Sequence, residues 1–255
     1  MASTGGASDA NLIHANWPAP DCVTALVTTR NGGVSGAPYQ SFNLGSHVGD
    51  HVTAVAQNRK RLQALINTLH QPQWLDQVHG TRAIESLPGQ GSVEADAVVA
   101  SAPGLPCAVL SADCLPVFFT TASGNRVAVA HAGWRGLAAG ILEQTLAGLN
   151  VPAQELIAWL GPAIGVDHFE VGPEVRQVFM DFSAACGSGF RPSEMRAGHW
   201  YADIYQLARV RLQMNDVSQV YGGNFCTYRE DERFYSYRRD GITGRMASLV
   251  WLESR

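Results

Sequence analysis

The chain has 255 residues, 46% of them hydrophobic and 16% charged, with no internal repeat, so it can bury a sizeable core and is not a solenoid. A formal net charge of -4 argues against a dedicated nucleic-acid binder. No apolar run approaches the roughly 18 residues of a membrane span, so neither nucleic acid nor membrane is an expected partner. Five cysteines at wide spacing, with no CxxC pair, fit a reducing cytosol rather than a disulfide framework, and a cytoplasmic location is expected. The first twenty residues lack the basic start and apolar stretch of a secretory signal. Residues 1–10 read as a flexible tail ahead of a single catalytic domain at 11–255. Lys60 is the only lysine. The remaining cations are arginines, either through a genome-wide bias or because their forked guanidinium groups grip phosphate or carboxylate.

In chain order, residues 23–30 alternate as a strand and Asn31-Gly32-Gly33 reads as a turn. NLGSHVGD (43–50) is a glycine-rich loop, and residues 52–69 carry apolar positions at a helical period. A short strand at 74–78 ends at His79. Three apolar strands follow at 107–112, 116–121 and 126–131, the last two joined by a turn at Ala-Ser-Gly-Asn. Residues 136–149 form an amphipathic pattern, and 156–160 a strand closed by Gly161-Pro162. Residues 173–182 and 204–214 read as helices, the former opened by proline, with a surface loop over 184–198. Strands are expected at 217–221, 234–238 and 246–252, the last two joined as a hairpin through 240–244. The pattern predicts an α+β fold of mixed, largely antiparallel sheets with helices packed against them.

If the 116–131 hairpin turns between Ala122 and Ser123, Phe118 faces Val127, Pro116 faces Val129 and Cys114 faces His131. Period-two alternation then places a thiol and an imidazole at the end of one apolar face. His79, before Gly80, closes another short strand. Two histidines and one cysteine suit a metal with an open fourth position, the form of a catalytic zinc. The same residues also suit a Cys-His hydrolase with Cys114 as nucleophile, and Asp113 could orient a histidine in that scheme.

The motifs QVHG (77–80), ADCLPV (112–117), AHAGWRG (130–136), LGPAIG (160–165) and CTY…FYSYRRD…TGRMAS (226–248) together resemble the YfiH-type purine nucleoside phosphorylase family, known in older naming as laccase-domain or polyphenol oxidoreductase. NLGSHVGD followed by NRKRL (58–62) is similar to its N-terminal pattern, so the likeness runs from about Trp17 to Leu252. The resemblance implies zinc on His79, Cys114 and His131, and phosphorolysis of adenosine, inosine, guanosine and S-methyl-5′-thioadenosine, with adenosine deaminase activity in some members. Some members are described as peptidoglycan editing factors acting on muramyl precursors, and this stands as an alternative. A binding protein with a structural metal is another. A four-copper oxidase is excluded, because eight histidines without one His-x-His pair cannot hold several coppers. A single copper would suit the same three ligands. For phosphorolysis, Arg59 and Arg135 are candidate phosphate ligands and Asn43 a candidate for ribose or phosphate. Tyr237, Arg238, Arg239 and Asp240 are further pocket candidates or a surface cluster; Trp134 is a pocket wall or a core anchor. His47 and His51 read as solvated residues within reach of substrate. A monomer is expected.

Overall fold

A computed structural model describes residues 11–254, so the expected tail at 1–10 lies outside the described residues. Two sheets stack face to face. The first has four antiparallel strands in the order Leu12–His14, Val23–Thr28, Met246–Leu252, Cys107–Ser111. The second has six, in the order Gln219–Gly222, Leu156–Leu160, Leu115–Thr121, Val127–Ala132, Ala97–Ala100, Ala83–Glu85. Its outer pairs run parallel and its inner pairs antiparallel.

The sequence of Leu115–Thr121, LPVFFTT, shows why both faces of the second sheet are covered. Phe118 points to the first sheet and shares a core with Val109 and Val250 of that sheet and with Val129 of its own. Leu115, Val117 and Phe119 point the other way, into a core shared with the helices Ile141–Leu149, Pro173–Phe182 and Ile204–Met214. A strand buried on both faces reads as a continuous apolar run rather than an alternating one. Full burial of a side chain such as Phe118 contributes about 1.5–3 kcal/mol. The outer face of the first sheet is covered by the helix Val52–Ile66, through Leu62 and Ile66, together with Phe42 and Leu44. The result is a helix–sheet–sheet–helix stack, in agreement with the α+β expectation.

Several expected boundaries move for local reasons. The first helix ends at Ile66 because Asn67 turns left-handed at φ 47°. The amphipathic stretch at 136–149 begins earlier and is broken: Gly140, at φ 106°, separates Trp134–Ala139 from Ile141–Leu149. The surface segment 184–198 contains a 3-10 helix, Ala184–Gly189, and the strand Phe190–Pro192, which joins a small sheet with Trp200–Ala202 and Glu170–Val171. The expected strand at 234–238 and its hairpin are absent. Ser236 caps a single helical turn, Tyr237–Asp240, by accepting from the Arg239 N–H, and Met246–Leu252 pairs with Val23–Thr28 and Cys107–Ser111 instead.

The central hairpin forms, with its register shifted by two residues. Phe118 faces Val129 and Pro116 faces His131. The loop is longer than expected because the Thr121 hydroxyl organises it, accepting from the N–H groups of Asn125 and Arg126 and donating to the Asn125 side chain. A shift of two preserves the side-chain face. His131 therefore still lies on the face that carries Phe118, at the rim where the two sheets meet.

Candidate metal centre and its cleft

At that rim the chain leaves the first sheet at Ser111 and enters the second at Leu115. Ala112, Asp113 and Cys114 make the crossing, and Asp113 adopts a left-handed φ of 90°. The Asp113 carboxylate accepts from the Thr227 hydroxyl at 2.6 Å and the Arg238 N–H at 2.7 Å. These bonds hold the bend that aims Cys114 toward His131. Asp113 thus fixes the crossing; the histidine is oriented by a different acid.

That acid is Asp96, which is completely buried. One carboxylate oxygen contacts His131 Nδ1 at 2.8 Å and accepts from the His79 N–H at 3.0 Å. The other accepts from the N–H groups of Val78 at 3.2 Å and Gly80 at 2.6 Å. Three successive N–H groups converging on one carboxylate form an anion nest. The nest offsets the cost of holding His79 at a left-handed φ of 60°. Donation from Nδ1 to Asp96 leaves His131 Nε2 free for a metal or a thiol, as in carboxylate–histidine–metal arrangements. Burial raises the Asp96 pKa, and the bonds from His131, Gly80 and Val78 bring it below the usual carboxylate value.

The donor atoms of His79, Cys114 and His131 all lie within 4.8 Å of one another. The Cys114 sulfur is 3.7 Å from His79 Nε2, and the two imidazoles meet edge to face with centroids 4.8 Å apart. Gly133 lies against the group. A Cβ there would stand 2.8 Å from the His79 ring and 3.0 Å from the Cys114 sulfur. Burial pushes the Cys114 thiol up, but His131 and His79 outweigh it and hold the thiol down at about 6. Burial pushes His131 down, and Cys114 and Asp96 outweigh it, raising it to about 9. Each group thus favours the charged form of the other. Two imidazoles and a thiolate within one ion's reach, with the fourth side facing a cleft, fit a zinc or single-copper site.

The triad lines a cleft of about 570 Å³. His47 and the cations Arg135, Arg238 and Arg245 line it together with the aromatic side chains of Trp134, Phe169 and Tyr237. Arg135 stacks on Trp134 at 4.4 Å, and Arg238 donates to the Glu170 carbonyl while lying over Phe169. Of the residues expected to touch substrate, Arg135 lines the cleft; Asn43 and Arg59 do not. Asn43 is fully buried and binds Gly45, Asp50 and the Arg245 N–H. Arg59 donates to the Leu44 carbonyl and lies over Trp74 at 4.1 Å. Tyr237 and Arg238 reach the cleft, whereas the Arg239 fork is occupied by the carbonyls of Thr227, Tyr228 and Phe234 and by Asp240. Sequence reasoning missed Asp96 and Arg245. The signal for Asp96 was present: a single inward acid in the apolar run ADAVVA at 95–100.

The family described as multi-copper polyphenol oxidoreductase laccase matches residues 24–253. The Pseudomonas aeruginosa protein named purine nucleoside phosphorylase is 54% identical over 93% of this chain and 97% of its own length. YfiH of Escherichia coli, also named a purine nucleoside phosphorylase, is 51% identical over 94% of this chain and 98% of its own. The chain belongs to the YfiH family. A crystal structure of a Neisseria meningitidis YfiH relative matches with a TM-score of 0.92 at 47% identity, covering 96% of this chain and all of that one. A Geobacillus stearothermophilus relative, YlmD, matches with a TM-score of 0.83 at 31% identity over 92% of this chain and 93% of its own. The laccase description sits poorly with the donors of this YfiH member. Among the described residues one group of three forms a candidate metal site, whereas a multicopper oxidase needs enough imidazole ligands for several coppers. No helix among the described residues is long and apolar enough to cross a membrane.

Proposed function

We propose that the protein is a zinc-dependent purine nucleoside phosphorylase acting on adenosine, inosine, guanosine and S-methyl-5′-thioadenosine. The observation that carries this reading is the His79–Cys114–His131 group on the wall of a cleft that also holds arginines and aromatic rings. The names of the YfiH relatives support the reaction class.

In phosphorolysis the bond from C1′ to the purine nitrogen breaks while a phosphate oxygen bonds to C1′. The base leaves with the electron pair and takes up a proton. Positive charge grows on the ribose and negative charge on the base, so the enzyme must hold an anion beside C1′ and offset charge on the leaving group. His79, Cys114 and His131 would hold the metal, and Asp96 would fix the His131 tautomer. Zinc bound there would supply Lewis-acid chemistry toward an oxygen of substrate or water. Trp134, Phe169 and Tyr237 offer ring faces to the purine, and the cleft cations offer donors to phosphate.

The test is base release from each nucleoside by zinc-loaded protein, with and without phosphate, with ammonia followed in parallel. Phosphate-dependent release of free base supports the reading. Failure of every nucleoside to release base in the presence of phosphate overturns it, and ammonia without base would mark a deaminase instead.

A further inference from the structure

We propose that Arg245 and His47 form the inorganic-phosphate subsite of the cleft, presented by a buried clasp centred on Asn43. The inference rests on the phosphorylase reading and assigns its second substrate to named residues.

The clasp joins residues 202 positions apart. The Asn43 side-chain oxygen accepts from the Arg245 N–H at 2.9 Å and from the Gly45 N–H at 2.9 Å, while its amide donates to Asp50 and to the Gly45 carbonyl. Asn58, equally buried, donates to the carbonyls of Ser41 and Asn43 and to the Ser35 hydroxyl. Arg59 secures Leu44, and the Tyr39 hydroxyl secures Val48. Gly45 packs directly on the arginine: a Cβ there would lie 2.8 Å from Arg245 Cγ. Gly244 packs on Asn43 in the same way, at 3.0 Å from its Cβ. The loop so fastened carries one side chain into the cleft, His47. A polar network this buried costs stability unless every member is satisfied, and its geometric product is to set Arg245 and His47 on the wall of one cleft.

Arg245 differs from the other cleft arginines. Arg135 and Arg238 are both exposed. Arg245 is half-buried, its Nη1 fixed by the carbonyls of Thr243 and Gly244, and among the described residues no ion pair engages it. Burial lowers its pKa, with Cys114 and Asp113 opposing the shift. A preorganised guanidinium with no ion-pair partner among the described residues, beside the triad, is a site that gains by taking an anion. The pKa of His47 on the same wall is lowered by burial and then by the charges of Arg245 and Arg59, against Asp76. A neutral imidazole can donate to a phosphate oxygen or accept from a protonated one, which suits inorganic phosphate better than a fully ionised carboxylate.

The experiment uses zinc-loaded R245Q, R245K and H47N. Initial rates on inosine are measured against phosphate concentration, and inorganic phosphate alone is titrated into each protein by calorimetry. Loss of a charge-assisted bond to an anion corresponds to about a 10- to 100-fold weakening. The phosphate KM of R245Q is expected to rise by that factor and that of H47N by less, with R245K between wild type and R245Q. The inosine KM should change less than about twofold. N43A, a positioning variant, should raise the phosphate KM without changing the zinc content. An unchanged phosphate KM in R245Q, or a rise confined to inosine, overturns the assignment while leaving phosphorolysis in place. If wild type releases no base yet binds phosphate and R245Q does not, the subsite stands and the phosphorylase reading falls. Equal phosphate binding by wild type and R245Q overturns the subsite whatever the activity.

Discussion

Replacing Asp96 by asparagine removes half of the acceptor capacity beneath the metal centre while changing almost no volume. The wild-type carboxylate serves four N–H groups: those of Val78 and Gly80 on one oxygen, and those of His79 and His131 Nδ1 on the other. An asparagine offers one oxygen. Either orientation aims its amide at two N–H donors and loses both bonds. Two bonds to a charged acceptor, at about 1.5–3 kcal/mol each, predict a loss of about 3–6 kcal/mol. No solvent discount applies, because Asp96 is completely buried. Urea denaturation of metal-free D96N and wild type measures this directly. The Asp96 pKa is lowered in the folded state, so the stabilisation is present above the usual carboxylate value and is lost as pH falls through the lowered one. The gap between the proteins should therefore be full at neutral pH and shrink in acid. Zinc affinity should fall about 10- to 100-fold, because His131 loses its fixed tautomer. A difference below 1 kcal/mol at neutral pH, together with wild-type zinc affinity, would refute the argument that Asp96 organises the site.

Three other outcomes follow from the geometry. Gly133→Ala should keep the fold, since its φ of -62° suits alanine, yet weaken zinc binding by crowding His79 and Cys114; a competition titration with a chelating dye checks this. In metal-free protein, Cys114 should alkylate readily at pH 7, and more slowly as pH falls through about 6. Buried Cys107, whose thiol is pushed well up by burial and then by Glu85, should stay unmodified, as peptide mass spectrometry would show. Gly140→Ala should destabilise the protein by about 1–2 kcal/mol, because alanine is strained at φ 106°; thermal unfolding measures the loss.

How far the sequence disclosed this molecule depended on how local each determinant was. The apolar runs at 107–111, 115–121 and 127–132 announced buried strands, because hydrophobic content survives any error of register. The register itself rested on a turn whose extra residues are stabilised by the Thr121 hydroxyl, a side-chain effect that spacing does not reveal. The segment FYSYR at 234–238 has aromatic strand propensity, but the Ser236 cap and the bond from the Arg238 N–H to Asp113 bend it into a helical turn. Tertiary partners outweighed propensity there. At the site, the sulfur and imidazoles were legible as residue types and motifs. Asp96 showed only as an acid within the apolar run ADAVVA; its role was not legible, because its partners lie 16 to 35 residues away in sequence. Asn43 and Arg59 belonged to motifs that pointed to substrate, yet both fasten the loop that carries His47, one step behind the cleft.

A single metal on His79, Cys114 and His131 should support phosphate-dependent base release. Chelator-stripped protein titrated with zinc, with hypoxanthine release from inosine and phosphate recorded at each addition, tests it most directly. Activity should rise from background and break at one equivalent per chain, with no rise in C114A. Full activity before zinc is added, or a break at several equivalents, would contradict it.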